Sequence, residues 1–230
     1  ADMIRGAGAY PCLTLEDAAY KAVSLANGKE PMDFTGFSLP ESEIEKMVEG
    51  CVGKLKPDQR FLRGLYTGGT LADEAMKMLG NSIGGIYSNI PLEPRYRLER
   101  LTDLVGNVIL DLGEDQFTVG RPHPMIDPST RTEHLLSDID GSVAILLIDV
   151  VLGYGSHENP AKEAADAIKR VQGRLREEGR SVITVASITG TKADPQGLEH
   201  SKACLEDIGA VVMPSNAQAV RFVEKLMKNL

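Results

Sequence analysis

The sequence contains no tryptophan, and its five phenylalanines and six tyrosines make up only 5% of the 230 residues. Flavin sites usually offer aromatic rings for stacking, together with a phosphate loop rich in serine and threonine. A free-standing flavin-type mononucleotide binder is therefore the weakest of the functional classes that we consider.

Cysteines are also few: Cys12, Cys51 and Cys204 are far apart and form no CxxC pair. This spacing suggests neither a disulfide framework nor a zinc knuckle, so we predict a cytoplasmic protein. The longest strongly apolar run covers residues 143–148, which is far short of the ~20 residues that a membrane helix needs. No signal peptide is visible, and the short apolar runs together with the net negative charge lead us to expect no membrane partner.

Positive charge is the scarcer sign, with 25 lysines and arginines against 33 aspartates and glutamates and a net charge of −8. A pI near 5.1 argues against nucleic acid as the main partner. Because the overall field repels anions, any anionic ligand must be held by local donors. The histidines and acidic residues show no convincing zinc spacing, and we predict no metal site.

Two regions of the chain differ in pattern. Residues 1–56 lack a strand–helix–strand pattern and are predicted to be an N-terminal helical appendage and linker, with a loop at 3–11 and helices at 14–25 and 42–48. From residue 57 onward, apolar β-branched runs alternate with amphipathic segments. We predict strands at 61–66, 107–111, 142–151, 181–187 and 210–214, and helices at 71–79, 160–178, 197–208 and 217–228.

This alternation predicts one α/β domain over residues 57–230, a doubly wound, mainly parallel sheet of about five strands with helices on both faces. Residues 142–151 are almost continuously apolar and form the central strand. In such sheets ligands bind beyond the carboxyl ends of the strands. Four loops rich in Gly, Pro, His and Asp follow predicted strands, and we expect them to meet on one edge: 67–70, 113–128, 153–160 and 189–196.

The first of these loops is the most informative part of the chain. Gly68 and Gly69 allow the backbone to approach a ligand, and we expect Thr70 to cap a helix that begins at Leu71. The free N–H groups of that first turn, together with the helix dipole, would hold a phosphate or a carboxylate. The alternative is a tightly packed strand–turn–helix corner that binds nothing.

The other loops supply candidate side chains. His157, beside Gly155, suits a general base or a hydrogen-bond donor, or simply caps the next helix. Arg121 could grip a carboxylate or a phosphate next to His123, or could pair with Asp127 or Asp115 to fix its own loop. The loop after the strand at 181–187 carries Lys192, which could hold an anion.

One acidic residue, Asp149, interrupts the central strand near its carboxyl end. A buried carboxylate is costly unless it is paired. We therefore expect Asp149 to accept hydrogen bonds from a neighbouring loop, which is a structural role and not a catalytic one.

Several stretches resemble a known family. Residues 68–75 resemble the Ser-Gly-Thr-Leu-type turn and helix in the C-terminal ligase domain of the succinyl-CoA synthetase α-subunit. Residues 120–127 (GRPHPMID), 149–155 (DVVLGYG) and 190–196 (GTKADPQ) resemble, in order, motifs of FdrA, a divergent branch of the acyl-CoA synthetases. The resemblance covers about residues 57–230 and implies a three-layer, flavodoxin-like fold of the succinyl-CoA synthetase domain type.

The resemblance also implies a function, the transfer of an acyl or carbamoyl group within a multi-subunit enzyme. For FdrA-type proteins this implies carbamoyl transfer onto oxamate in allantoin and purine breakdown. The synthetases carry a phosphohistidine where this chain has residues 190–193, which contain no histidine; His200 follows in a predicted helix. We therefore expect chemistry without a phosphohistidine.

We expect partner domains, because the family contains two domains for which this sequence shows no pattern. Residues 1–56 have no GxGxxG of a CoA-binding domain, and no ATP-grasp half is present. We expect this chain itself to bind no cofactor. CoA or nucleotide would bind to partner domains, and we expect the chain to form an oligomer with other subunits. The competing hypothesis is a non-catalytic assembly or ligand-binding subunit that retains the fold.

Overall fold

The computed structural model describes residues 2–80, 82–102 and 104–230. Its strands are β1 (Phe61–Tyr66), β2 (Ile86–Tyr87), β3 (Asn107–Asp111), β4 (Val143–Val151), β5 (Ile183–Thr189) and β6 (Val211–Met213). Its α-helices are α1 (Asp2–Gly6), α2 (Leu15–Ala26), α3 (Glu41–Val52), α4 (Gly69–Leu79), α5 (Asp115–Thr118), α6 (Ser129–Asp138), α7 (Pro160–Glu177), α8 (Leu198–Glu206) and α9 (Asn216–Met227).

The six strands form one sheet in the order β2-β3-β1-β4-β5-β6, and all neighbouring pairs are parallel. Helices α3, α4 and α9 cover one face, and α6, α7 and α8 cover the other. The predicted three-layer α/β fold is confirmed. The sheet has one strand more than expected, because the two-residue β2 adds an outer edge to β3.

Strand β4 is apolar along its whole length because helices cover both faces of the sheet there. Leu146 and Ile148 belong to the core beneath α6–α8, whereas Ile145 and Leu147 belong to the core beneath α4 and α9. All four side chains are fully buried. Because neither face meets water, the hydrophobic effect selects an unbroken apolar run here in place of an alternating one.

The order of the strands creates a switch point around β1. After β1 the chain forms β3 on one side, then crosses back to form β4 on the other side. In open α/β sheets the loops diverge at such a point and leave a crevice beyond the carboxyl ends of the strands. The loops that follow β1, β3 and β4 therefore lie together beyond the carboxyl ends of the strands.

The N-terminal helices pack against the end of the chain, since α2 and α3 both contact α9. Glu16 accepts hydrogen bonds from Gln218 and from Arg221. Thr14 caps α2, its hydroxyl accepting the N–H of Asp17 at 3.0 Å. The division of the chain at residue 56 stays a prediction.

Some predicted elements need correction. The predicted loop at 3–11 is wrong in its first part, because α1 is helical. The predicted cap is also wrong: α4 begins at Gly69, and Gly68 is its N-cap with an extended backbone. The Gly68 carbonyl accepts the N–H groups of Leu71 and Ala72, which draws Thr70 into the first turn. In the part of the chain that the structure describes, no helix is long and apolar enough to cross a membrane.

Candidate functional site

Asp149 anchors the turn between β1 and α4. Its Oδ1 accepts the N–H of Thr67 at 2.8 Å, and its Oδ2 accepts the Thr67 hydroxyl and the N–H of Gly68, each at 3.0 Å. The carboxylate is fully buried. The expectation that Asp149 accepts hydrogen bonds from a neighbouring loop is confirmed.

A buried arginine supports the same aspartate. Arg131 of α6 donates from Nη1 to the Asp149 carbonyl oxygen at 2.6 Å, and the same nitrogen lies 3.6 Å from Oδ1. Burial raises the pKa of the Asp149 carboxyl, whereas Arg131 and the donors of the turn oppose that rise. The group is thus fully paired, and it occupies two of the amides that a ligand would otherwise use.

Two amides of the turn stay open. Leu71 and Ala72 donate to the Gly68 carbonyl, but the N–H groups of Gly69 and Thr70 have no acceptor among the described residues. These are the orphan donors expected at a helix start, and the positive end of the helix dipole adds to them. The N–H donors available to an anion are therefore only those of the first two residues of α4, Gly69 and Thr70, and Thr70 is exposed.

A second carboxylate, Asp111, ends β3 beside this turn. Its Oδ1 accepts the N–H of Gly113 at 2.9 Å, but its Oδ2 has no donor in the described part of the chain. Oδ2 lies 2.5 Å from the point that a Cβ on Gly69 would occupy. Burial raises the pKa of Asp111, the charges of Glu114 and Asp149 add to the rise, and the Gly113 N–H and nearby histidine oppose it.

That histidine is His123, from the loop that follows α5. Its Nδ1 accepts the N–H of Met125 at 3.2 Å, so Nε2 is the ring nitrogen that can donate to a neighbour. Nε2 lies 2.5 Å from the point that a Cβ on Gly113 would occupy, and Asp111 Oδ1 lies 3.2 Å from the same point. Glycine at 113 therefore lets His123 and Asp111 approach each other, and any side chain there would separate them.

Met125 links this loop to the turn and to His157. Its methyl carbon lies 3.4 Å from the Cβ position of Gly68, and its carbonyl accepts the N–H of His157 at 2.7 Å. The His157 ring accepts the N–H of Asn159 at Nδ1, and Nε2 has no partner among the described residues. The half-buried His157 thus presents a free ring nitrogen near the same edge.

Gln196 connects the β5 loop to the β4 loop. Its side-chain oxygen accepts the N–H of Gly153, and its Nε2 donates to the carbonyls of Gly153 and His157. With the contacts of Met125, these bonds join all four predicted loops along one edge of the sheet. The expectation that these loops meet there is confirmed, and Gln196 is a link that the sequence reasoning missed.

Two charged candidates lie at the surface. Arg121 is half-exposed and pairs with Glu133 of α6 at 2.7 Å, where an aspartate partner was expected. Ser129, with the nearby His157 and Arg121, holds the pKa of Asp127 below its ordinary value. Lys192 is exposed in a turn that Asp194 closes. The roles of Arg121, His123, His157 and Lys192 stay predictions.

Of the remaining candidate residues, Leu71 lines a cleft and Gly155 lies at the surface. Leu71 lines a cleft of about 390 Å³ together with Glu74 and Gly190, between α2, α4, α9 and the loop after β5. Gly155 is exposed in the β4 loop. Within the described ranges no cluster of three or more His, Cys, Asp or Glu residues could hold a metal ion.

Besides Gln196, three residues of this edge were not predicted from the sequence to belong to it: Asp111, Gly113 and Arg131. A usable signal existed for Asp111, because it ends an apolar strand just as Asp149 does. Arg131 gave no signal, since a helical arginine in a polar segment reads as a surface residue.

Comparison with known proteins places the chain in a family. Residues 65–226, most of the chain, match the family described as CoA-ligase. YahF, an uncharacterized protein of Escherichia coli strain K12, is 37% identical over 203 residues, which are 87% of this chain and 38% of YahF. The chain thus spans well under half the length of this relative.

Proposed function

The chain belongs to the CoA-ligase family, and we propose that it is the ligase-like domain or subunit of an FdrA-type enzyme that transfers an acyl or carbamoyl group. Carbamoyl transfer onto oxamate in allantoin breakdown is the specific form of this proposal. Other subunits would supply CoA or nucleotide sites, within an oligomer.

The observation that carries the proposal is the open start of α4. The free N–H groups of Gly69 and Thr70 lie at the switch point, where ligands of parallel sheets bind. Donors fixed in place before the reaction stabilise developing negative charge without reorganisation. A small anionic substrate held there would be positioned for transfer.

A transfer of this kind also needs a group that moves a proton, and His157 is our choice. Its Nδ1 is already used, so the ring is oriented with Nε2 free. The backbone bond to Met125 ties it to the loop above the α4 start. His123 is the second choice, because its Nε2 faces Gly113 and Asp111.

Arg121 requires one further step. Its guanidinium is bound by Glu133, so it reaches a substrate only when that ion pair opens. Both side chains are about half exposed, and exposed pairs of this kind contribute less than about 1 kcal/mol. An anionic substrate at the edge could therefore compete with Glu133 for the guanidinium.

The proposed chemistry uses no phosphohistidine on this chain. The loop 190–196 has no imidazole, and His200 lies on α8, where its Nε2 is 3.6 Å from Cys204 Sγ. We expect incubation with labelled ATP and the partner subunits to leave no acid-labile phosphate on the chain. Label on His157 or His200 would contradict this.

Reconstitution with the partner subunits tests the proposal. The isolated chain should be inactive, and the complex should transfer acyl or carbamoyl groups. We expect His157→Ala and Arg121→Ala each to lower the rate at least ~100-fold. His200→Ala is the matched control and should leave the rate within about twofold of wild type. Full activity of both site variants would refute the site.

A non-catalytic assembly or ligand-binding subunit is the second candidate. It is favoured by Asp149, which fills two amides of the turn with a side chain of the protein itself. A partner complex that is fully active without this chain would select this alternative.

A further inference from the structure

We propose that helix α2 is a docking surface for a second copy of this chain, and that two copies pair through antiparallel α2 helices about a two-fold axis. The inference goes beyond the proposed function and does not depend on the transfer reaction. It concerns the side of α2 that no other described part of the chain covers.

The polarity of α2 is the reverse of that of an ordinary surface helix. Asp17 and Lys21 are only 0% and 6% exposed. The exposed residues of the helix are all apolar or aromatic, and we call them the α2 face: Leu15, Ala19, Tyr20, Ala22, Val23, Leu25 and Ala26. Because a surface helix normally turns its charged side to water, a continuous apolar side of this kind marks an interaction surface.

The buried charges keep α2 in this orientation. Lys21 Nζ lies 2.8 Å from Asp17 Oδ2 and 2.7 Å from Asp33 Oδ1. The Asp17 carboxylate also accepts the N–H groups of Leu13 and Phe34, each at 3.0 Å. A rotation of α2 that buried its apolar side would break these bonds and strand the partners, so the chain cannot cover the α2 face by turning the helix over.

One line of side chains along the α2 face has the spacing of a helix–helix seam. It advances by four, three and four residues: Leu15, Ala19, Ala22 and Ala26. Positions spaced in this way lie on one side of a helix and meet a neighbouring helix along its length. The alanines let a second backbone come close. The occupant that fits this seam is therefore another helix.

The seam is complementary to itself in an antiparallel pair. With a two-fold axis between positions 20 and 21, Leu15 of one copy faces Ala26 of the other, and Ala19 faces Ala22. The large side chain thus meets a small one at both ends. A parallel pair would set Leu15 against Leu15 and leave the alanines apart. The antiparallel pair also aligns the helix dipoles favourably and closes with two-fold symmetry.

The area of the α2 face suits a weak dimer. Together with Leu13, which is 77% exposed, it leaves roughly 600 Å² uncovered on each copy. Two copies would bury up to about 1,200 Å² in total, which is the lower limit of specific interfaces. No charged side chain of the α2 face loses its water, so the net charge of −8 opposes pairing only through a repulsion that salt screens. We therefore expect a dissociation constant of about 1–100 µM that decreases as salt is added.

Sedimentation velocity of the full chain, over about 1–500 µM, tests the inference. Ala19→Lys and Ala22→Glu each bury an unpaired charge in the seam and should weaken association at least ~10-fold. The double variant Ala19→Lys/Ala22→Glu sets the two introduced charges opposite each other across the axis. It should return the dissociation constant to within about threefold of wild type, a rescue that a parallel pair would not give.

Ala203→Glu is the matched control. It adds the same charge to an exposed alanine of another helix, α8, and should leave the dissociation constant within about twofold of wild type. Circular dichroism and thermal unfolding establish that each variant is folded. The two single variants test the seam at separate positions, so either one decides if the other does not fold.

The outcomes separate this inference from the proposed function. A wild-type chain that stays monomeric at about 500 µM overturns the inference, as does unchanged association in the single variants. A double variant as weak as the single ones overturns the antiparallel arrangement. If the monomeric chain instead binds a purified partner subunit, and Ala22→Glu abolishes that binding, the α2 face belongs to that partner and not to a second copy. The transfer rate of the reconstituted complex tests the proposed function alone.

Discussion

Asp149 and Asp111 stand on the two strands that flank β1, and both are buried within reach of the same turn. Asp149 accepts three hydrogen bonds and has an arginine beside it. Asp111 accepts one hydrogen bond from a neighbouring backbone N–H, and its second oxygen lies beside Gly69 with no donor among the described residues. The same residue type in similar positions thus holds the turn together in one case and stays open in the other.

The difference distinguishes a structural carboxylate at the end of a strand from one that is available to a ligand. A buried carboxylate whose lone pairs are all used contributes to the fold, and removing it leaves orphaned partners. A buried carboxylate with an unused oxygen costs free energy in the folded state. Carboxylates whose pKa is raised by burial in this way are found preferentially at functional sites.

The largest expected effect comes from Asp149→Ala. The substitution leaves Arg131 buried without its carboxylate and orphans the N–H groups of Thr67 and Gly68. We expect a loss of about 3–5 kcal/mol in the free energy of unfolding, measured by urea denaturation. Asp166→Ala, which breaks an exposed pair with Lys162, should cost less than about 1 kcal/mol. A loss below about 1 kcal/mol for Asp149→Ala would remove the contrast between the two aspartates.

A double-mutant cycle tests the close contact between Asp111 and Gly69. Gly69→Ala places a Cβ 2.5 Å from Asp111 Oδ2 and should cost about 1–3 kcal/mol. In the Asp111→Ala background the same change should cost less than about 0.5 kcal/mol, because the obstructing oxygen is gone. Gly50→Ala, a helical glycine with open space around it, should instead stabilise α3 by roughly 0.5–1 kcal/mol. If Gly69→Ala lowered the free energy of unfolding equally with and without the Asp111 side chain, Asp111 would not be in close contact with the turn.

Asp111→Asn should stabilise the free protein modestly at neutral pH. Burial raises the folded-state pKa of Asp111, so wild type loses stability as the pH rises through that value. Below the ordinary value of 3.8 the carboxyl is protonated in both states and the cost disappears. We expect a gain in the free energy of unfolding at pH 7 that vanishes near pH 3, measured by denaturation at several pH values. A gain that does not change with pH would point to packing as its origin.

The smallest effect on stability is expected for Arg121→Ala. Its partner Glu133 is 58% exposed, and Arg121 itself is 50% exposed. Thermal unfolding should show a change of less than about 1 kcal/mol. Since the same variant is expected to lower the transfer rate at least ~100-fold, a folded but slow Arg121→Ala enzyme would separate the two roles. Strong destabilisation would show instead that the ion pair fixes the loop.

The sequence predicts the layers of the fold well, because the core imposes local patterns. Strand β4 is predictable from an apolar run that only a doubly covered strand needs. The structural role of Asp149 is predictable from the cost of burying a charge. Strand β2 is not, since two residues in a turn-rich segment show no period, and polar α6 gives only a weak helical signal.

The site is less predictable than the fold. The sequence indicates which loops reach the carboxyl edge, but not which amides stay free after Asp149 has taken those of Thr67 and Gly68. Its prediction for Arg121 missed Glu133, because that partner lies on α6, which was not predicted. Contacts between loops depend on packing distances that spacing along the chain does not encode.

The proposed function depends on the binding of an anion by the open amides at the start of α4. The most direct measurement is a titration of the 15N-labelled chain with inorganic phosphate, followed by amide chemical shifts. We expect the resonances of Gly69 and Thr70 to shift most and to saturate together, whereas those of Thr67 and Gly68, held by Asp149, should shift less. Unperturbed Gly69 and Thr70 amides, or the largest saturating shifts at another surface, would contradict it.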